Sequence, residues 1–271
     1  MDERGKIYWH EAFFEALQLE LHQYSDVLTF HSEHRLNEEA LRMDVLVIKK
    51  DTGTQIKKNI GQIFRGSNIF EYKSEADTFS VWDYNKVIAY AYLYSAHEQI
   101  PISDITISVS LTMYPKKLMQ SLVNERGLKI EDLGNGIHYI IGEAIPMQIL
   151  ENKRLSADNN LFLRNLRSNL STEDMLMTLD FYKMVKPLNE KAVYVDRLIN
   201  ANPEAFEEAI NMSESIKDIF LRGADKHGWL ADRDKENAVK IAKNLLMRGY
   251  SAEDVAEATE LPRETVISLV K

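Results

Sequence analysis

The chain has no cysteine in 271 residues, which excludes disulfides, thiolate zinc sites and a cysteine nucleophile. No apolar run approaches the roughly 20 residues that span a bilayer. The opening MDERGKIYWHEAFF is acidic and lacks the apolar core of a signal peptide, so a cytoplasmic protein without membrane contact is expected. Glycine-rich phosphate loops, GxGxxG, HExxH and GxSxG are all missing, which disfavours a nucleotide-dependent dehydrogenase or kinase. Internal repeats and low-complexity tracts are missing too. Positive charge is also short: 33 Lys and Arg face 42 Asp and Glu, a formal net charge of -9. That balance argues against broad, unspecific nucleic-acid binding. One segment departs from it. Between residues 49 and 73 stand Lys49, Lys50, Lys57, Lys58, Arg65 and Lys73, against Asp51 and Glu71.

What is present suits a globular protein, with 45% hydrophobic and 28% charged residues. Residues 8–24 read as an amphipathic helix, with Trp9, Phe13, Ala16, Leu17, Leu21 and Tyr24 at helical spacing. Glu20 falls on the same apolar face, an unusual place for a carboxylate; Glu11 and Glu15 lie on the polar side. DVLTFHSEHRL and LRMDVLVIKK then predict a hairpin. Val45 to Ile48 are apolar on both faces, as in a strand covered on both sides. NIFEYKS predicts a third strand, DYNKVIAYAYLYSA a helix, and DITISVSLTM a strand of clean alternation. A helix after Pro115 and the short strands GIHYII and PMQIL close this half. From about residue 160 helices with clear punctuation follow, so the boundary is set near residue 155, giving regions 1–155 and 156–271. Asn202 before Pro203 reads as a helix N-cap, and Gly228 and Gly249 suit helix ends.

Glu71 and Lys73 are two apart on a predicted strand, so both side chains project from one face. Asp44 lies on the preceding strand, on the face of Leu46 and Ile48. If those strands are neighbours, Asp44 and Glu71 converge. Two converging carboxylates make a hard oxygen site for Mg²⁺ or Mn²⁺, and a lysine beside them can stabilise a transition state. Glu-x-Lys also arises by chance, and the chain carries its own control in Glu151-Asn152-Lys153. That copy has no aspartate on a preceding strand.

The order helix, strand, Asp-bearing strand, Glu-x-Lys strand, helix, strand resembles the PD-(D/E)XK nuclease superfamily. The wording LRMDVLVIKK, IGQIFRGSNIFEYKS and DYNKVIAYAYLY is similar to bacterial Rpn-like recombination-promoting nucleases associated with transposases. The resemblance covers roughly residues 8–150 and returns in the tail. It implies an α/β fold with a restriction-endonuclease-like core and a metal-dependent DNA endonuclease, a hydrolase that cleaves phosphodiesters. Asp44 and Glu71 would be the metal ligands and Lys73 the catalytic lysine, with Mg²⁺ or Mn²⁺ as cofactor. Many superfamily members carry a further glutamate on the first helix; Glu20 is the choice here and Glu15 the runner-up. Met43 stands where the motif has proline. The alternative is a catalytically inactive nuclease fold that binds DNA or protein.

The remaining features are weaker. His31 and His34 are three apart and would point to opposite faces of a strand, the wrong geometry for a shared metal; His138 reads as a strand histidine. The tail from Ser251 resembles a helix-turn-helix, with Asp254 three residues after Ser251 as a capping-box variant and a last helix from Pro262. Arg263 and Lys271 are offset by Glu260 and Glu264, so a hairpin that packs or forms a homo-oligomer is an equal reading.

Overall fold

The computed structural model describes residues 9–35, 42–49, 53–185, 192–213, 238–239, 241–247 and 250–269. Trp9, Ala12, Phe13, Ala16 and Leu17 recur at three- and four-residue steps and bury one side of helix α1 (Trp9–Glu20). Strand β1 (Leu28–Arg35) runs antiparallel to β2 (Arg42–Lys49). Val45, Leu46 and Val47 of β2 are all buried, because both faces of this strand are covered. Strand β3 (Ser67–Lys73) pairs antiparallel with β2. Helix α2 (Val81–Glu98) carries the chain across to β4 (Ile105–Leu111), which pairs parallel with β3; a parallel neighbour requires such a crossover. Helix α3 (Lys116–Arg126) ends at Gly127, whose φ of 68° suits a left-handed cap.

Three short strands complete the sheet: β5 (Lys129–Asp132), β6 (Ile137–Ile141) and β7 (Met147–Glu151). The order is β1-β2-β3-β4-β7-β6-β5, a mixed seven-stranded sheet. β5 is the strand that sequence pattern did not predict. Its four residues, KIED, hold one apolar side chain and are mostly exposed, as a charged edge should be.

The two faces of the sheet bury different chemistry. Ile69, Ile107 and Val109 share a core with Tyr84, Val87, Leu118 and Leu122 of α2 and α3. On the other face Phe13 of α1 stacks on Tyr72, with ring centroids 4.8 Å apart. The alternate residues of β4 on that side are polar and fully buried: Thr106, Ser108 and Ser110. Each finds a side-chain partner. Thr106 Oγ1 donates to Asn68 Oδ1 at 2.5 Å, Gln148 Nε2 donates to Ser108 Oγ at 2.8 Å, and Ser110 Oγ donates to Asn152 Oδ1 at 2.7 Å.

Helices α4 (Ala157–Arg164), α5 (Thr172–Val185), α6 (Val193–Ala201) and α7 (Pro203–Met212) follow. The compact units do not divide near residue 155. The chain separates into one compact unit of Met1–Pro187 with Ala192–Met212, and a second of Leu188–Lys191 with Ser213–Lys271. Helices α4 to α6 belong with the sheet because α1 presents polar groups to them, and α7 packs on α5 and α6. Asn202 stands just before α7, but its side chain is engaged elsewhere. Its Oδ1 accepts from the Leu170 amide at 2.8 Å, and its Nδ2 donates to the Arg167 and Leu198 carbonyls at 3.0 Å each, so it staples a loop.

In the second unit Ser251 Oγ accepts from the Asp254 amide at 3.1 Å and caps the helix Ala252–Thr259. A last helix runs over Arg263–Ser268. Ala242, Val255, Leu261 and Val266 form its small core. Gly228, Gly249 and Lys271 lie outside the described residues. Among the described residues, no helix is long and apolar enough to cross a membrane.

Candidate active site

The β2–β3 register pairs Val45 with Phe70, and one further step sets Asp44 opposite Glu71. Directly opposed residues of an antiparallel pair lie on the same face, with Cβ atoms about 4.5–5.5 Å apart. Lys73 is two residues on from Glu71, and its Nζ stands 3.0 Å from Glu71 Oε1. The three side chains therefore meet at one end of the sheet. Asp44 is fixed by the backbone: its Oδ2 accepts the Tyr72 amide at 2.8 Å.

Two residues that the motif did not single out join them. His10, on the first turn of α1, places Nδ1 3.4 Å from Asp44 Oδ1. Asp83, on the first turn of α2, places Oδ1 4.0 Å from Lys73 Nζ. A capping box holds Asp83: Ser80 Oγ accepts the Asp83 amide at 3.3 Å, while Asp83 Oδ2 accepts the Ser80 amide at 2.9 Å. Ser80-x-x-Asp83 is a spacing legible in sequence. His10 carries no such signal. Beside Asp83, Trp82 is 77% exposed, far more than its size predicts.

The electrostatics follow from burial and crowding. Burial raises the Glu71 carboxyl above its ordinary range, Asp44's charge raises it further, and Lys73 only partly offsets both. Burial pulls the Lys73 ammonium down, but Glu71, Asp83 and Asp44 outweigh it and the net shift is upward. The hydrogen bond to Asp44 holds the His10 imidazole above 6.5 against the opposing effect of its partial burial. By linkage the His10–Asp44 contact stabilises the fold below pH 6.5, and that contribution disappears as pH rises through the raised value. An NMR titration of the His10 ring should give a midpoint above 6.5, and Asp44→Asn should lower it. An unchanged midpoint in that variant would remove Asp44 as the cause.

Glu20, the first-helix carboxylate expected at this site, is elsewhere. From His10 to Glu20 the helix advances about 15 Å at ~1.5 Å per residue, away from Asp44. Glu20 Oε1 accepts the amides of Phe162 and Leu163 at 2.6 and 3.0 Å, and Oε2 takes Lys58 Nζ at 2.7 Å. It caps α4 where Asn160 breaks the helix with φ -142° and ψ 50°. Burial raises its pKa, with Lys58 acting in the opposite sense. Glu15, the runner-up, accepts the Tyr182 hydroxyl at 2.8 Å and the Tyr194 amide at 2.6 Å. Both glutamates tie α1 to the helices beyond residue 155.

The cationic segment is likewise dispersed. Lys58 is taken by Glu20, Arg65 donates to the Ser103 carbonyl, and Lys73 serves the site. Lys50 and Asp51 lie outside the described residues. In the control pair Lys153 turns to Glu75, 3.2 Å away, leaving Glu151 in a separate cleft.

Among the described residues, no three His, Asp or Glu side chains are grouped to hold a metal ion. The chemistry of Asp44 and Glu71 nevertheless fits Mg²⁺, which takes one or two carboxylates and completes its shell with water and substrate oxygens.

Comparison with family models, with curated proteins and with solved structures gives no match.

Proposed function

We propose that the chain is a metal-dependent DNA endonuclease with a PD-(D/E)XK core formed by α1, β1, β2, β3, α2 and β4, of the Rpn-like, transposase-associated kind. The observation that carries this reading is the register that opposes Asp44 to Glu71 and sets Lys73 3.0 Å from Glu71. Asp44 and Glu71 would hold Mg²⁺ or Mn²⁺, and the bound ion supplies water of lowered pKa and charge neutralisation at phosphate. The Tyr72 amide keeps Asp44 aimed at that position. Lys73 places a cation beside the attacked phosphodiester and stabilises the charge that develops there. Asp83 holds the ammonium on the α2 side. Trp82 offers an exposed ring on which a base can stack, a contact worth about 1–3 kcal/mol.

Incubation with single-stranded, duplex and branched DNA in Mg²⁺ or Mn²⁺ should give nicks or cuts that chelation abolishes. Wild-type protein inert on all three substrates with both metals removes the enzymatic reading.

A second reading, a nuclease fold that binds DNA or protein without turnover, draws on the small donor set: two carboxylates rather than three metal-ligating side chains. It predicts DNA binding indifferent to divalent metal. The C-terminal hairpin fits assembly better than phosphate contact, since Glu253 already pairs with Arg263 at 2.5 Å.

A further inference from the structure

Beyond β4, towards the other edge of the sheet, β5, β6 and β7 flank a cleft of about 390 Å³ lined by Tyr114, Ile130, Asp132, His138, Glu151 and Arg154. His138 is only 4% exposed. Its Nε2 and the Oε2 of Glu151 are both buried and without a hydrogen-bond partner among the described residues. A buried nitrogen and a buried carboxylate oxygen left in this state require an explanation, because each forfeits its hydration. They stand 3.9 Å apart, too far for a hydrogen bond. Ligands at about 2.0–2.2 Å from a shared cation can lie up to roughly 4.2 Å apart, so one ion could bridge this gap at a bent angle.

The far side of the ring supports the same occupant. Asp132 faces His138 across the β5–β6 ladder, with Oδ1 3.5 Å from Nδ1. A carboxylate there favours the tautomer with the proton on Nδ1, which would leave the Nε2 lone pair for a ligand, as in the usual support of a metal-binding imidazole. The Tyr114 ring meets the imidazole edge-on at 4.8 Å and fixes its plane. Arg154 Nη1 lies 3.7 Å from the same Glu151 oxygen, on a side chain 63% exposed. It neutralises Glu151 now and is free to swing into solvent.

We propose that His138 Nε2 and Glu151 form a site for a borderline divalent cation such as Zn²⁺ or Co²⁺, with Asp132 as the positioning carboxylate and water completing the shell. Imidazole with carboxylate selects these ions over Mg²⁺, which separates this site from the all-oxygen pair Asp44 and Glu71. Asp132 reaches only the other ring nitrogen, so the cleft contributes two protein ligands.

The full chain, stripped of metal by chelation, is titrated with Zn²⁺ by calorimetry and with Co²⁺ by visible absorption. One Zn²⁺ should bind, and the Asp44→Ala/Glu71→Ala double variant should bind it equally well. His138→Gln and Glu151→Gln should each weaken binding at least about tenfold, Asp132→Asn about tenfold, and Arg154→Ala should tighten it severalfold. Should the buried substitutions unfold the protein, Arg154→Ala and the NMR shift of His138 Nε2 on zinc addition to wild type carry the test. Absent binding at millimolar Zn²⁺, or unchanged binding in folded His138→Gln, overturns the site. So does an unmoved Nε2 resonance, or loss of zinc in the double variant.

Discussion

Asp44→Ala, Glu71→Ala and Lys73→Ala are each expected to lower metal-dependent cleavage by about 10²–10³-fold, the cost of deleting one preorganised electrostatic group, while the protein stays folded. Glu71 makes the clearest case. Its carboxyl is raised chiefly by burial, then by Asp44. A raised folded-state value means the favourable contribution of Glu71 is complete below its unfolded pKa and is lost as pH rises through the folded one. Metal-free Glu71→Gln should therefore gain in melting temperature relative to wild type as pH rises through that raised pKa, while cleavage is lost. Lys73 acts in the opposite sense on Glu71, so Lys73→Ala should move the acid limb of the pH–rate profile upward. Thermal melts beside cleavage assays check all of these. A Glu71→Gln variant that still cleaves, or that loses activity only by unfolding, refutes the assignment.

Glu20→Ala should destabilise the protein by about 2–5 kcal/mol, since it strands two buried amides and one partly buried ammonium. Glu15→Ala should fall in the same range, leaving the Tyr182 hydroxyl and Tyr194 amide without it. Glu20→Gln should be milder, because the amide oxygen still accepts from Phe162 and Leu163. Its deficit against wild type should narrow as pH rises through the raised pKa of Glu20, where wild type loses the contribution of the protonated acid. A chain ended at residue 155 removes α4 to α7 and, of these partners, all but Lys58, so it should fail to fold. One ended at residue 212 keeps the first compact unit and should unfold cooperatively in urea. Cooperative folding of the shorter chain would show that the glutamates find other partners.

These expectations also mark where sequence reading stops. The strands bearing Asp44 and Glu71 were legible because period-two alternation and a doubly apolar run are local properties of the backbone. Their adjacency followed from element order. The position of Glu20 on the apolar face of α1 was legible too, but not its partner. Helical periodicity tells which side chains are buried and is silent on what covers them. α1 meets the sheet through Phe13 and the later helices through Glu20, two contacts that one stripe encodes without distinction, while Glu15, expected on the polar side, is buried against those helices too. β5 escaped because four residues with one apolar side chain have no period. His10 escaped because its role depends on where the helix axis crosses the ends of β2 and β3.

Asn68 has a further consequence, for how errors are corrected during folding. Its Nδ2 donates to the Val47 carbonyl on β2 at 3.1 Å, and its Oδ1 accepts from Thr106 on β4. A slip of two residues between strands returns every side chain to its own face, so oil-like burial hardly notices the mistake. The Thr106–Asn68, Ser108–Gln148 and Ser110–Asn152 pairs do notice: a slip between β3 and β4 unmatches the first, and one between β4 and β7 the other two. They join residues 38, 40 and 42 apart in sequence, so they close only after collapse has brought distant segments together. They would favour the native register over a slipped one, with Asn68 bonded to both neighbouring strands at once. Exchanging this seam for aliphatic residues would yield a chain that still collapses but tolerates misaligned sheets. In those, β4 would stand about two residues out of step with β3 or β7.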